Sequence, residues 1–502
     1  MARRGKNFIG FIALLLLVSL FAGCTLPNNL TAPPDPAASA AGSESTEAPS
    51  SILPDQPNAT PTAPAGGTPG QTEAPDVQVS VQPTVVPTVI PTVNPTGTPR
   101  PIETPKPIVV PTSNLTPTKA PTVAPTTPAP TKTPAPTASG SGTVTKAQVY
   151  CRSVLNQSQQ AAYDTIYAGL SDPSKIETAT VDYETVHLIK VSVSYRASSN
   201  LEKEIKLILS AILMDHPELY YLDKQYTYSY SGTRLTEFRM YTLDRSTALS
   251  LRSQVENGIQ AYQQKVSPHQ DPYEIAKQFY ELLATNIQYG QDGTSHAYSI
   301  VGAFVNGQCV CEGFSEAYQL LLNAYGIRAF TVSGTAGGAH QWNAVEINGK
   351  WYYTDPTWGN LKTLGEKDTY PKEGYIRVSY VYLNLNAALM GADHTLDETS
   401  ASMTAGLSFT ATQDNYFVRE GGYFASFQQN AVETYVKAAI ADAIANKRET
   451  VGIRMGSQQA YDSLVDYIYR NLYRVYYEAG GQDAALSYYP GDVTYTVHIS
   501  MH

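Results

Sequence analysis

From Thr25 to about Thr143 the chain runs through Pro, Thr, Ala, Ser and Val without one aromatic residue. No hydrophobic core can be built from such a stretch. Each Pro fixes φ and removes a backbone donor, so units such as Val85-Val86-Pro87-Thr88-Val89-Ile90-Pro91-Thr92 predict a disordered, polyproline-like linker. At roughly 3.1 Å per residue, about 120 residues could reach about 370 Å. Dense Thr beside Pro is also the composition of O-glycosylated stalks, but a spacer is the simpler reading.

The segment before this tract reads as an export signal: Arg3, Arg4 and Lys6, then an apolar run from Phe8 to about Ala22, shorter than the roughly 20 residues of a bilayer span. Its end, Leu20-Phe21-Ala22-Gly23-Cys24, resembles the lipobox of bacterial lipoproteins, with Phe21 where an aliphatic residue is usual. That resemblance implies a diacylated Cys24 as mature N-terminus, a membrane contact through the lipid anchor, and an extracytoplasmic location. An unmodified Cys24 would instead mean a secreted protein or an uncleaved signal anchor. The formal charge is −10, and cleavage before Cys24 would remove three basic residues and no acid, which argues against nucleic acid as a partner. Four cysteines are present; with Cys24 in the anchor, Cys151, Cys309 and Cys311 encode no disulfide framework.

Aromatics return at Tyr150, and the chain divides into a signal (1–23), the linker (24–145), an N-terminal α/β domain (146–268), a central domain (269–396) and a C-terminal α/β accessory domain (397–502). The first domain shows helical periodicity over 158–170, 201–214 and 246–265. Its strand-like runs are 186–195, 226–230 and 235–243, the last two joined at Ser231-Gly232. In the central domain a helix opens at Asp271-Pro272, with Ile275, Phe279, Leu282, Leu283 and Ile287 as its apolar stripe. Strands follow at 329–333, 340–347 and 350–355; Asn348-Gly349 between the last two is a strong hairpin signal. The final domain alternates helix 431–446, strand 451–455, helix 458–478 and strand 493–500. Tyr461, Leu464, Ile468, Leu472 and Val475 read as a packing stripe.

Three segments carry chemistry: Cys311-Glu312-Gly313-Phe314 opening an apolar helix, His340-Gln341-Trp342-Asn343, and Asp355-Pro356-Thr357-Trp358. From Cys311, the residues Phe314, Ser315, Tyr318, Leu322 and Tyr325 follow at three- and four-residue steps, so Cys311 sits on the first turn of the inward face. Unpaired N–H groups and the helix dipole stabilise a thiolate at that position. Cys309, two residues upstream, reads as a small buried residue. A zinc site is not supported, because no second Cys pair stands at ligand spacing. His340 follows a glycine-rich approach, and the hairpin brings Asp355 to its end of the sheet, where a carboxylate can hold one imidazole nitrogen while the other faces a thiol. His216, His296 and His394 read as loop or packing residues.

At these residues, from about Asp271 to His394, the chain resembles the bacterial transglutaminase-like superfamily, which shares its core with papain-type thiol proteases. The resemblance implies an α+β fold: a nucleophile helix packed on an antiparallel sheet, flanked here by smaller α/β domains. It also implies Cys311 as nucleophile, His340 as general base and acid, Asp355 as the group orienting the imidazole, and no cofactor. Matching segments include Val305-Asn306-Gly307 before the helix, Gly326-Ile327-Arg328 after it, and Trp351-Tyr352-Tyr353-Thr354 before Asp355. The implied activity is attack on a peptide, isopeptide or glutamine carboxamide of a surface protein, giving a thioester that water or an amine resolves. The Cys311 backbone N–H is the natural first oxyanion donor; the second is not assigned. The alternative is a non-catalytic binding or scaffold module at the cell wall or in cell division. A calcium-dependent crosslinker lacks a compact acidic loop.

Overall fold

The computed structural model describes residues 149–181, 183–291, 293–361, 374–482 and 486–501. The expected signal segment, Cys24 and the Pro/Thr-rich linker lie outside the described residues. Among the described residues, no helix is long and apolar enough to cross a membrane.

The first part begins with α1 (Cys151–Val154) and α2 (Gln157–Leu170), the latter started by a capping box between Asn156 and Gln159. Buried Asp215 accepts the backbone N–H groups of Tyr150, Cys151 and Arg152 and the phenol of Tyr163, pinning the start of α1. Four antiparallel strands, β1 (Glu177–Val181), β2 (Glu184–Arg196), β3 (Leu222–Ser231) and β4 (Arg234–Thr242), form a sheet of order β1-β2-β4-β3. Helix α3 (Leu201–Asp215) connects β2 to β3, and α4 (Arg245–Gln263) leaves the sheet. The β3–β4 turn uses Gly232 at φ 59°, where a side chain would be strained. Strand β1 is a correction to the sequence reading: Glu-Thr-Ala-Thr-Val has no buried face and therefore no apolar alternation to announce it.

In the centre, α5 (Pro272–Asn286) starts with Pro in its first turn and Asp271 as its cap. A short parallel pair, β5 (Gln288–Tyr289) and β6 (Gln308–Cys309), leads into α6 (Cys311–Ala324). Next comes an antiparallel sheet of order β10-β7-β8-β9, from β7 (Ala329–Thr335), β8 (Ala339–Ile347), β9 (Lys350–Thr354) and β10 (Thr395–Leu396). The β8–β9 hairpin turns through Asn348 and Gly349, at φ 51° and 73°, the left-handed pair that a type I′ turn requires. Helix α6 packs on α5 and on β7 and β8. Short helices α7 (Ala387–Met390), α8 (Glu398–Thr404) and α9 (Tyr416–Arg419) follow the sheet. One hydrophobic core runs from Cys151 to Phe417.

The last part builds a second core from α10 (Gln429–Ala445) and α11 (Gln458–Glu478) on a sheet of order β11-β12-β14-β13. Its strands are β11 (Tyr423–Phe424), β12 (Thr450–Met455), β13 (Leu486–Gly491) and β14 (Thr496–Met501). The Tyr461, Leu464, Ile468, Leu472 and Val475 stripe is buried in that core. The strand expected over 493–500 is corrected: Asp492–Thr494 form a 3-10 turn, and the strand begins only at Thr496, after Tyr495 at φ 52°.

Candidate active site

The approach to α6 is set by backbone geometry. A wide helical turn, Gly302–Asn306, ends at Gly307 in the left-handed region (φ 67°), which accounts for the Val-Asn-Gly segment. Cys309 then seats against the first turn of α6: a Cβ on Gly313 would lie 2.5 Å from the Cys309 Cβ and 2.8 Å from its Sγ. Glycine at 313 is thus the condition for the loop and helix to meet. Burial, reinforced by the Glu316 charge, pushes the Cys309 thiol up, so it stays protonated and packs as a small apolar residue.

Cys311 is the first residue of α6 and is buried. Its predecessor Val310 is extended and supplies no side-chain cap, and Glu312 is the acidic residue of the first turn. Ser315 Oγ donates to the Cys311 carbonyl at 2.9 Å, and Asn343 Nδ2 on β8 donates to the Ser315 carbonyl at 2.9 Å. The opening of α6 is thereby tied to the strand that carries His340. On its other side, Lys224 from β3 lies 3.8 Å from Glu312 and 3.5 Å from Glu316. Burial raises the Glu316 carboxyl to about 7 against the opposing pull of Lys224.

His340 and Asp355 meet as expected from the hairpin. His340 Nε2 is 2.8 Å from Asp355 Oδ2, with both side chains buried, and the imidazole stacks with Trp342 at 6.0 Å between ring centroids. Backbone bonds fix the carboxylate. Asp355 Oδ1 accepts the N–H of Thr357 at 2.9 Å and of Trp358 at 3.3 Å, while the Asp355 N–H donates to the Tyr382 carbonyl at 3.0 Å. Burial alone would raise this acid, but His340 and His394 together hold it well below the usual carboxylate range.

His394, read from the sequence as a loop or packing residue, lies against the same carboxylate. Its Nε2 is 3.3 Å from the same Asp355 Oδ2, and its Nδ1 is 2.5 Å from Asp393 Oδ1. It stands 39 residues beyond Asp355, outside any strand or helix, so no periodicity or spacing marked it. His216, by contrast, lies far along the chain in the first part, stacked on Tyr167 with Nδ1 2.7 Å from Glu218. The His340, Asp355 and His394 side chains offer atoms within 4.8 Å of one another. The 2.8 Å separation of His340 and Asp355 is a hydrogen-bond length, shorter than the roughly 3.3 Å between ligands around a tetrahedral metal at 2.0–2.1 Å. We read the three as a hydrogen-bonded cluster.

Residues 260–356 match the family model of the transglutaminase-like superfamily, a stretch that holds Cys311, His340 and Asp355 and stops short of His394. No curated protein matches the chain. Among solved structures, a TGase aligns at 15% identity over 34% of this chain, with a TM-score of 0.18; the chain spans only 50% of that protein's length. The periplasmic domain of TgpA from Pseudomonas aeruginosa aligns at 13% identity over 37% of this chain and 73% of its own, with a TM-score of 0.16.

Proposed function

Within this transglutaminase-like domain we propose that Cys311, His340 and Asp355 form the catalytic triad of a thiol enzyme acting outside the cytoplasm. The observation that carries the reading is the His340–Asp355 pair at 2.8 Å, on a strand bonded through Asn343 to the helix that starts at Cys311. Because His340 turns Nε2 to the carboxylate, Nδ1 is the nitrogen that serves the thiol. The Cys311 proton passes to His340 Nδ1, and the thiolate attacks the carbonyl carbon of a peptide, isopeptide or glutamine carboxamide. The C–N bond breaks as His340 returns the proton to the leaving amine, leaving a thioester on Cys311. Water or an amine then attacks, His340 takes its proton, and the C–S bond breaks to regenerate the thiolate. The Cys311 backbone N–H, at the first position of α6, is the natural first oxyanion donor.

We place this chemistry at the cell surface, on a lipid anchor at Cys24 and a Pro/Thr-rich spacer, with surface proteins or peptides as substrates. The test is incubation of the protein with a labelled amine and labelled acyl-donor peptides, comparing wild type with Cys311→Ala. Amine incorporation lost in the variant establishes transfer, and cleavage lost in the variant establishes hydrolysis. Neither reaction with any peptide would refute the enzyme and leave a binding module.

A further inference from the structure

His394 has no part in the triad scheme, yet its two contacts fix its charge. Nε2 faces Asp355 Oδ2 at 3.3 Å and Nδ1 faces Asp393 Oδ1 at 2.5 Å. A neutral imidazole has one N–H and one lone pair, so in either tautomer a lone pair would point at a carboxylate oxygen. Only the cation donates on both sides. Asp393 is itself held in place, because Tyr382 Oη donates to its Oδ2 at 2.6 Å. The ring is buried edge-on to Trp342 and Trp358, at centroid distances of 4.9 and 4.6 Å, so neither carboxylate contact is replaceable by bulk water. Burial disfavours the charge, and the two carboxylates outweigh it, leaving His394 more basic than an ordinary histidine.

Asp355 therefore serves two imidazoles through one oxygen. We infer that His394 is a standing cation that shares Asp355 with His340, and that it is a positioning residue keeping His340 able to release its proton near neutral pH. The inference deepens the triad reading and rests on it for its catalytic meaning. An unshared buried carboxylate would hold His340 as a cation too firmly to protonate a leaving amine. A unit charge with its ring centroid 5.5 Å from that of His340 offsets this by roughly two pH units at an effective dielectric of about 20. Among the described residues, other ionisable groups near the cluster include Tyr382 beside Asp393, Tyr280 beside Asp355 and Arg454 beyond Tyr382, with the Cys311 thiol on the far side of His340 in the proposed triad.

The test is nitrogen NMR of the full protein labelled in its histidines. His394 should show both ring nitrogens protonated from pH 5 to 8. In His394→Gln, which keeps an N–H toward Asp355 and drops the charge, the His340 titration should move up by roughly two units. The basic limb of any turnover profile should move with it. Should that variant fail to fold, Asp393→Asn tests the same point, because His394 would then lose its second proton near neutral pH and His340 would again titrate higher. A single protonated nitrogen on wild-type His394 at pH 7, or a His340 titration unmoved by these variants, overturns the inference. These spectra do not depend on turnover, so failure of the enzyme reading in the labelled-amine assay remains a separate result.

Discussion

Replacing Asp355 with Asn changes one atom type at the centre of the site and leaves its shape intact. Asparagine Oδ1 can still accept from Thr357 and Trp358, whose N–H groups lie 2.9 and 3.3 Å from the native Oδ1. Its amide nitrogen then points two hydrogens at the His340 and His394 Nε2 atoms, which lie 2.8 and 3.3 Å from the native Oδ2. To avoid facing donor with donor, His340 must carry its proton on Nδ1, which is the nitrogen needed as base. Loss of that base corresponds to about 10²–10⁴-fold in rate. Two charge-assisted bonds at about 1.5–3 kcal/mol each are lost, and partial replacement by neutral ones leaves a destabilisation of about 3 kcal/mol at pH 7. The sign with pH is fixed by the lowered carboxyl. Its stabilisation is present above the unfolded value of about 3.9 and is lost as pH falls through the folded value, so the two proteins should converge in acid. Iodoacetamide labelling of Cys311 at pH 6, read by peptide mass, measures the first effect; urea melts at pH 7 and at about pH 2, well below the unfolded carboxyl value, measure the second. An Asn variant that labels Cys311 at the wild-type rate with unchanged stability would refute the assignment of Asp355.

Gly313→Ala puts a methyl 2.5 Å from the Cys309 Cβ and 2.9 Å from the Ser299 carbonyl, so α6 or its approach loop must shift. We expect a loss of about 1–3 kcal/mol in chemical melts and a fall in Cys311 labelling that exceeds what the lost stability explains. Arg454 is buried, donates to the Val381 carbonyl at 2.7 Å and to Thr496 at 2.9 Å, and lies over the Phe417 ring. Arg454→Met should cost about 2–4 kcal/mol, seen as a lower melting temperature, because two buried acceptors lose their donor. His498 is buried on β14, and burial, reinforced by Arg377, brings it down to about 3. Its unfolded value of about 6.5 means that stability is full above that pH and falls by up to about 1.4 kcal/mol per unit as pH drops toward 3. His498→Phe should flatten that acid limb in melts between pH 7 and 4, and an unchanged slope would place the acid sensitivity elsewhere.

The parts of the site legible in the sequence are those brought together by local geometry. Asn348-Gly349 specified the turn that carries Asp355 back beside His340, and the three- and four-residue steps from Cys311 specified the buried face of α6. That helix is buried more completely than its stripe indicated. Gln319 donates to the Met214 carbonyl, and Asn323 exchanges bonds with the Ala329 backbone, so polar residues that would pattern as solvent-facing are satisfied inside. The contact of His394 with Asp355 was illegible for the opposite reason. Its arrival depends on a returning segment whose path is set by backbone pairing of Tyr353 with Leu385 and of Asp355 with Tyr382, and neither pairing leaves a side-chain pattern.

The same backbone pairing bears on how the site can work. Asp355 is held by its own N–H and by two N–H donors on one oxygen, and the other oxygen faces two imidazoles, so the carboxylate has no freedom to rotate with the reaction. Under the proposed triad, proton movement is confined to the outer nitrogen of His340, and the charged residues nearest Cys311 along α6 are Glu312 and Glu316. Those residues are not the property of the central sheet alone. Lys224, at φ 63° on a bulged stretch of β3, reaches Glu312 and Glu316 from the first part of the chain. A left-handed lysine costs about 1–3 kcal/mol unless its surroundings hold it, and Lys224 sits where the register of β3 shifts between Leu222 and Tyr226. The first sheet therefore contributes charge near Cys311, while in the proposed triad the hairpin and the separate segment carrying His394 set the proton on His340.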